Sequence, residues 1–475
     1  MALKNKYQRE KQQYTNDSGR TWIDVSPANY RRGRLIEAGS DDCNTVEWKE
    51  VTGSWFCVNA EPITKWVTVS GEYVCDTGNK YAKEKEQVSE DGGMTWTDTG
   101  QTRAGTLIEV NSEDCGYVPP TPGDYETQYL TFEAIEDGTF TFTGNNSNSL
   151  SYSLDDGQTW TALRSGSASP TVTAGNKIMW KGTCTPSNIG SGSFSSTGTF
   201  NAYGNTMSIV HGDNFQNSTT ISGYQFGLLF QSTKVVNAEN LVLPATTLVD
   251  SCYYGMFNSC GRLVNAPQLP ATTLAESCYQ GMFYNCTSLV NAPTLPATTL
   301  ASGCYYEMFY DCTSLETAPA LPATTLVDSC YYAMFRGCTS LKTAPTLPAT
   351  TLAYWCYQEM FAYCTSLVTA PSVLPATTLE NSCYYEMFRG CTSLTTAPEL
   401  PSTTLTSSCY YNMFYDCRSL NYIKCFATNI SASTTYTKNW VRGVASSGTF
   451  VKNKDATWDV TGTSGIPEGW TVVTQ

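Results

Sequence analysis

Histidine is nearly absent from this sequence, because His211 is the only one among 475 residues. Catalysis by the common routes needs a base, and a histidine close to Asp213 could supply one. A solvated loop or a structural role is the interpretation that we favour. The pair Asp155 and Asp156 falls in a turn sequence, where side-chain hydrogen bonds to the backbone explain it. No phosphate-binding loop, dinucleotide fingerprint, nucleophile elbow or metal-ligand cluster occurs, so we expect no enzyme, cofactor or metal.

Charge and long apolar runs are scarce as well. Charged residues make up 15% of the chain and leave a formal net charge of -14, so no basic stripe is available for nucleic acid. No run of about 18 apolar residues occurs, and we expect no membrane span. The basic segment 1–11 lacks an apolar continuation, so we expect no secretory signal peptide. Aromatic residues reach 12%, a composition that suits contact with carbohydrate or protein.

What the chain does contain is repetition. Seven copies of the unit L-P-A-T-T-L-x-x-x-C-Y-Y-x-M-F-x-x-C-T-S-L-x-x-A-P fill residues 243–420, with a period of 26 residues and a single insertion near Val373. The Leu-Pro anchors are Leu243, Leu269, Leu295, Leu321, Leu347, Leu374 and Leu400. A period between 20 and 29 residues is typical of leucine-rich repeats, which stack as a solenoid because one copy cannot bury its own apolar face.

We number each copy from its first cysteine, which is position 0. The apolar residues at positions 0, 1, 4, 5 and 8 fall within about 140 degrees on a helical wheel, which predicts an amphipathic helix of two to three turns. The preceding Thr-Thr can cap this helix, and the Ala-Pro pair ends it. We expect a strand over residues 288–293, with Leu289 inward and Val290 outward. The proline in every copy makes that strand short and irregular.

Fourteen of the 20 cysteines occupy positions 0 and 8 of the copies. Eight residues along a helix separate two sulfurs by about 12 Å, too far for a disulfide within one copy. We expect buried free thiols in a reducing cytosol, and bridges between coils are the alternative. The chain has no C-x-x-C pair, which leaves a zinc site with little support.

The chain before the repeats is predicted to be all β. Segments 7–13 and 33–37 recur as 81–87 and 105–109, and alternating residues broken by Asp-Ser-Gly or Asp-Gly-Gly predict hairpins. We predict a multi-domain fold: small all-β modules at residues 1–60 and 61–118, a Pro-rich linker at 119–124 and a β-sandwich at 125–222. An α/β leucine-rich-repeat solenoid with an N-terminal cap coil follows at 223–424, and a C-terminal cap at 425–475.

The outward positions of the copies vary while the inward ones are nearly constant, as expected for a fixed scaffold with an adjustable face. The candidate receptor contacts are Tyr284, Tyr310, Arg336, Tyr354, Trp355, Tyr363, Arg389 and Tyr415. Trp355 could anchor a protein or stack on a sugar ring. The alternative, which we favour slightly, is that it fills a gap made by the insertion at Val373.

Three S/T-x-D-x-G-x-T-W motifs are similar to the Asp-box hairpin of sialidases and related propellers. Their aspartates and tryptophans are Asp17, Trp22, Asp91, Trp96, Asp155 and Trp160. The resemblance implies a turn that stabilises the fold, with the Asp accepting backbone hydrogen bonds and the Trp packing below.

The unit F-x-x-C-T-S-L, ended by a proline, resembles the leucine-rich repeat of the BspA-like surface proteins common in gut Bacteroidales and their phages. The duplicated front, with Glu10-Lys-Gln-Gln13 and Gly33-Arg-Leu-Ile-Glu37, looks like the opening modules of tail or fibre proteins of such phages, including crAss-like phages.

These resemblances imply a virion fibre or spike at the particle surface, made in the host cytoplasm and released by lysis. Its partners would be other virion proteins at the N-terminal modules and a host-surface protein or polysaccharide at the solenoid. We expect a homo-oligomer, with a trimer favoured. A bacterial surface adhesin, a purely structural virion decoration and a glycan hydrolase that uses the β-sandwich remain as alternatives.

Overall fold

The fold is mostly β-strand with very little helix, as seen in a computed structural model. It describes residues 4–11, 13–14, 23–24, 30–40, 55–59, 63–76, 79–89, 96–109, 125–144, 150–185, 192–430 and 435–475. The chain divides into two compact units, Met1–Pro119 and Pro120–Gln475. The prediction of several β-sheets is confirmed. In the described part, no helix is both long and apolar enough to span a bilayer.

The first unit contains antiparallel sheets. Its strands are β1 (Lys4–Lys11), β2 (Gln13–Tyr14), β3 (Ile23–Asp24), β4 (Tyr30–Ser40), β5 (Trp55–Asn59), β6 (Ile63–Asp76), β7 (Asn79–Ser89) and β8 (Thr97–Glu109). They pair in the orders β4-β1-β5, β2-β3 and β6-β7-β8. Cross-strand ion pairs of 2.8 Å join β7 to both of its neighbours, namely Lys83 with Glu72, Lys85 with Asp98 and Glu84 with Arg103. Opposite charges facing each other support the register of such a sheet.

The second unit begins with two sheets that share an aromatic core. Its first strands are β9 (Leu130–Ala134), β10 (Phe140–Gly144), β11 (Leu150–Ser153), β12 (Thr161–Leu163), β13 (Lys177–Gly182), β14 (Gly192–Ser196) and β15 (Phe200–Asn205). Strands β10 and β14 form one sheet, and the others belong to a larger one. The Phe132 ring of β9 lies 5.1 Å from Phe140 and 4.9 Å from Phe194, centre to centre, so the two sheets meet over buried phenylalanines.

The larger sheet continues into the first residues of the repeat region. Strand β15 pairs in parallel with β16 (Val235–Asn237) and β17 (Leu241–Val242). A short α-helix, α1 (Ser208–His211), and the 3-10 helix Gly212–Asn214 contact β13, and the 3-10 helix Tyr125–Thr127 contacts β15 and β17. The buried side chains form one cluster that extends from Leu130 to Trp470. The middle sheets and the repeats therefore share a continuous core.

Strand pairing within the repeats is reduced to isolated parallel bridges, as the prolines predict. One line of bridges joins Asn237, Asn265, Asn291, Thr317, Thr343 and Thr369, each to the equivalent residue of the next copy. Regular strands return after the last copy as β18 (Tyr422–Cys425), β19 (Thr449–Lys452) and β20 (Thr471–Thr474), which form a parallel three-stranded sheet.

The predicted repeat helix is wrong. Between positions -1 and 8 each copy is a chain of turns, with a left-handed residue at every fourth position, as at Ser277, Gly281 and Asn285, where φ is 53°, 59° and 56°. An α-helix needs negative φ throughout and bonds to the fourth preceding carbonyl. Here every second N–H bonds to the third preceding carbonyl, as Met282 does to Tyr279 at 3.2 Å.

The remaining N–H groups of this segment point to the next copy. Tyr279 donates to the Cys304 carbonyl at 3.1 Å, and Phe283 donates to the Met308 carbonyl at 2.9 Å. The same pattern is present before the first copy, where Phe226 donates to Cys252 at 2.8 Å. Half of the backbone donors are therefore satisfied within a copy and half between copies, which a helix could not do.

The inward positions stack in register. The phenylalanines of position 5 lie with ring centres 5.5 to 5.8 Å apart, and the tyrosines of position 1 lie 5.7 to 6.1 Å apart. All of these rings are buried, as are both cysteines of every copy. The thiol of Cys286 donates to the carbonyl of Phe257 in the preceding copy at 3.1 Å, and each second cysteine repeats this contact.

All fourteen repeat cysteines are free, as predicted, together with Cys184 and Cys425. Burial raises the pKa of the Cys260 and Cys312 thiols to about 12. A thiol with a raised pKa stays protonated at ordinary pH and is a poor nucleophile. In the first unit, by contrast, Cys75 is disulfide-bonded.

We predict that the fourteen repeat thiols resist alkylation in the native protein at pH 8 and are alkylated completely after denaturation. The reason is that both burial and the raised pKa keep the thiolate away from the reagent. Peptide mass spectrometry after a timed iodoacetamide treatment measures the labelled fraction at each cysteine. Rapid labelling of several position 0 or position 8 peptides in the native sample would contradict the stacked core.

Candidate functional site

Seven outward side chains form a continuous row across the copies. The rings of Tyr284 and Tyr310, both at position 6, stack with centres 4.7 Å apart and planes within 9° of parallel. The guanidinium of Arg336 follows, 5.1 Å from the ring centres of both Tyr310 and Tyr363. Each group contacts the next because equivalent or adjacent positions of consecutive copies lie side by side in the stack.

The row continues in the same manner through the later copies. Arg389 lies 5.6 Å from the Tyr363 ring and 5.1 Å from the Tyr415 ring, and Arg442 lies 5.3 Å from Tyr415 on its other side. We call the set the Tyr-Arg row, and its members are Tyr284, Tyr310, Arg336, Tyr363, Arg389, Tyr415 and Arg442. Six of the eight candidate contacts named from the sequence thus come together on one surface.

Tyr363 joins this row from position 7, because Ala362 at position 6 of the fifth copy is small and buried. Arg442 is a member that sequence reasoning missed. It lies beyond the seventh copy, where the repeat motif has disappeared, and only the bond from Asp416 N–H to its carbonyl, 2.7 Å long, aligns it with position 6. No local sequence signal could have found it.

Carboxylates at position 3 partly neutralise the arginines of the row. Arg336 Nε lies 3.2 Å from Glu359, and Arg389 Nη1 lies 2.7 Å from Glu386. Glu386 is almost buried and also accepts a hydrogen bond of 2.7 Å from the Asn412 amide. Burial raises the pKa of Glu307, which occupies position 3 of the third copy. The arginines therefore act here more as planar stacking groups than as a field of positive charge.

A second set of stacked tyrosines, at position 2, runs beside the row. Tyr306 and Tyr332 lie with ring centres 4.4 Å apart, and Tyr385 and Tyr411 lie 4.7 Å apart. Burial and the neighbouring Glu386 raise the pKa of Tyr385 to about 12. This set was also missed, although tyrosine recurs at position 2 in five of the seven copies. In both sets each named ring has at least one face against a neighbour in the stack.

Tyr354 and Trp355 lie apart from these sets, at positions -2 and -1 of the fifth copy. They are 40% and 39% exposed, and their rings stack on each other with centres 4.1 Å apart. A side chain that filled a gap beside the insertion at Val373 would be buried. The exposure of Trp355 therefore counts against the gap-filling interpretation.

The described Asp-box motif has the contacts of a self-contained turn. Asp155 accepts hydrogen bonds from the Thr159 N–H and hydroxyl and from the Ser153 hydroxyl, which lower its pKa to about 2. The Trp160 indole donates to the Gly157 carbonyl at 3.0 Å. In the second motif, the Lys65 ammonium lies 3.8 Å above the Trp96 ring. The motif residues Asp17, Trp22 and Asp91 lie outside the described residues.

The side chains near the single histidine are engaged in hydrogen bonds and an ion pair with one another. His211 ends helix α1, and the nearby Asp213 carboxylate receives Lys181 at 2.8 Å and the Tyr129 hydroxyl at 2.7 Å. These two donors lower the pKa of Asp213. Lys181 also lies 4.3 Å from the Trp160 ring, which links this cluster to the Asp-box turn. Across the described residues, no group of His, Cys, Asp and Glu side chains is arranged to hold a metal ion.

In comparison with known proteins, no family model, no curated protein and no solved structure matches the chain.

We predict that Arg336→Ala lowers the free energy of unfolding by about 1 kcal/mol. The variant loses two cation-π contacts and one ion pair, all at a half-buried site where solvent screens the charges. Chemical denaturation of the full chain measures the change. Arg418→Ala is the matched control, because Arg418 belongs to the same repeats, is exposed and should change stability by less than about 0.5 kcal/mol. Equal effects of the two substitutions would mean that the row contributes nothing to stability.

Proposed function

We propose that this chain is a non-enzymatic fibre or spike component of a phage virion, displayed at the particle surface. In this proposal the repeats form a solenoid of the leucine-rich-repeat type that contacts a host-surface receptor or glycan. The N-terminal modules attach the chain to other virion proteins, and the assembled spike is a homo-oligomer, with a trimer favoured.

The observation that carries the proposal is the Tyr-Arg row. Stable packing alone is already provided by the buried rows of Tyr, Met, Phe and Cys, whose identities hardly change between copies. The Tyr-Arg row differs from these buried rows because its residue type changes between Tyr and Arg from copy to copy. Contact between neighbours in the row is nevertheless maintained. Tyr and Arg are also the residue types enriched at binding hot spots.

Stacking of the copies supports the solenoid part of the proposal. Equivalent residues of consecutive copies hydrogen bond to one another, and equivalent rings lie face to face. Such an arrangement presents many similar surface groups at a constant interval. Several copies of the chain on one particle would add weak contacts into a firm attachment.

We predict that an excess of the purified full chain blocks adsorption of the phage to host cells, because soluble protein occupies the receptor. The double variant Arg336→Ala/Arg389→Ala should block at least about tenfold less well, since it removes two hot-spot side chains from the row. Arg418→Ala should block as well as the unmodified chain. Plaque counts of unadsorbed phage measure the effect.

Three results would count against the proposal. Failure of the unmodified chain to compete would remove the receptor-binding role and favour a purely structural decoration. Absence of labelling by antibodies against the repeats in electron micrographs of intact particles would remove the virion location. Release of oligosaccharides from host capsular polysaccharide by the purified chain would replace binding with hydrolysis.

A further inference from the structure

The fifth copy carries an aromatic pair where the other copies carry small polar residues. Tyr354 and Trp355 occupy the positions that hold Asp250-Ser251, Glu276-Ser277, Ser302-Gly303, Asp328-Ser329, Asn381-Ser382 and Ser407-Ser408 in the other copies. Both aromatic side chains remain about two-fifths exposed. Tyr354 and Trp355 stack on each other and belong to neither the Tyr-Arg row nor the position 2 set, so the rest of their exposed aromatic surface faces solvent.

The backbone under Trp355 is unfavourable for a residue of its size. Its φ of 58° lies in the left-handed region, which serine, asparagine and glycine tolerate better than a bulky side chain does. Tyr363 has a similar φ of 63°, but its ring completes the Tyr-Arg row between two arginines. Among the described residues, the printed aromatic contact of Trp355 is with the equally exposed Tyr354, so its ring completes no row of this kind. Local strain of this kind is commonly retained where function requires it.

The ladder of bonds between copies is interrupted at the same point. Position -1 donates to the next copy from Gly303 at 3.1 Å, from Ser329 at 3.0 Å and from Ser382 at 2.9 Å. Within the described stretch 192–430, the equivalent bond from Trp355 N–H to the Asn381 carbonyl is missing. The extra residue at Val373 lies in the connection between these two copies. An unused backbone donor therefore lies directly beside the exposed rings.

The polar groups around the pair are hydroxyls, an amide and a carboxylate. Asp328 accepts the Tyr354 N–H at 3.1 Å, and Ser329 N–H donates to the Tyr354 carbonyl at 3.0 Å. Asn381 and Ser382 hold the equivalent positions of the following copy. None of the residues at positions -2 and -1 of these three copies is Lys or Arg. These residues therefore offer no cation to an acidic group, but they offer acceptors and donors to hydroxyls.

We propose that Tyr354 and Trp355 form a binding subsite for a neutral pyranose sugar of a host-surface glycan. The exposed ring surface receives the apolar C–H face of the sugar, while its hydroxyls bond to the Trp355 N–H and to the side chains of Asp328, Asn381 and Ser382. The inference rests on the proposed function and names the chemical class of the receptor. A sugar that carries carboxylates is disfavoured, because Asp328 would repel it.

The test compares three full-length proteins by native electrophoresis in gels that contain polysaccharide. The double variant Tyr354→Asp/Trp355→Ser gives the fifth copy the Asp-Ser pair of the fourth, so it should unfold at a temperature no lower than the unmodified chain. Val368→Ser is the matched control, since Val368 is an exposed apolar residue in the same copy. The probes are dextran, yeast mannan, barley β-glucan and host capsular polysaccharide, with polygalacturonate as the acidic comparison.

We expect a neutral polysaccharide to retard the unmodified chain and Val368→Ser equally, with an affinity at least about tenfold weaker for the double variant. Retardation in no neutral gel, in polygalacturonate alone, or to the same extent with the double variant would overturn the sugar subsite. The adsorption assay separates the two proposals. A double variant that blocks phage as well as the unmodified chain would exclude this subsite but leave the receptor-binding role in place.

Discussion

Alternation of the backbone hydrogen bonds is the constraint on which the repeat region depends. Between positions -1 and 8, every second N–H closes a turn within its own copy, and the others bond to the following copy. A buried backbone donor without a partner is costly, so this division leaves only one way to add a copy. The next copy must lie in register, with each residue against its equivalent.

Register determines what the side chains do. Inside, it brings phenylalanine onto phenylalanine, tyrosine onto tyrosine and the thiol of each second cysteine onto the preceding phenylalanine carbonyl. Outside, it makes neighbours of residues that are 26 or 27 positions apart in the chain, such as Tyr310 with Arg336 and Arg336 with Tyr363.

The left-handed backbone positions explain which residue types recur there, because positions -1 and 7 are mostly Ser, Gly, Asn or Asp. At Gly390 a Cβ would lie 2.8 Å from the Tyr363 ring, so a larger residue after Arg389 would require that ring to shift.

Much of this could be predicted from the sequence, and the failures have identifiable causes. Constancy of Cys, Tyr, Met and Phe among the copies indicated the buried face correctly. The helix was wrong because the apolar spacing 0, 1, 4, 5, 8 fits a four-residue turn as well as it fits an α-helix. Periodicity measures which side chains share a face, and it does not distinguish a bond within the copy from a bond to the next one. The outward placement of the side chains at position 6 could be predicted in the same way, since it follows from variation between copies.

The sequence by itself determined the period, the inward residues and the short irregular strands, because each follows from local composition repeated many times. Only the tertiary structure decided that the repeat segment is a chain of turns, that Tyr363 replaces Ala362 in the Tyr-Arg row and that Arg442 extends it. It also decided that the Trp355 side chain is exposed and that the backbone N–H of the same residue makes no bond to the next copy. These features depend on how one copy meets the next. That contact joins residues about 26 positions apart, and no local pattern in the chain specifies it.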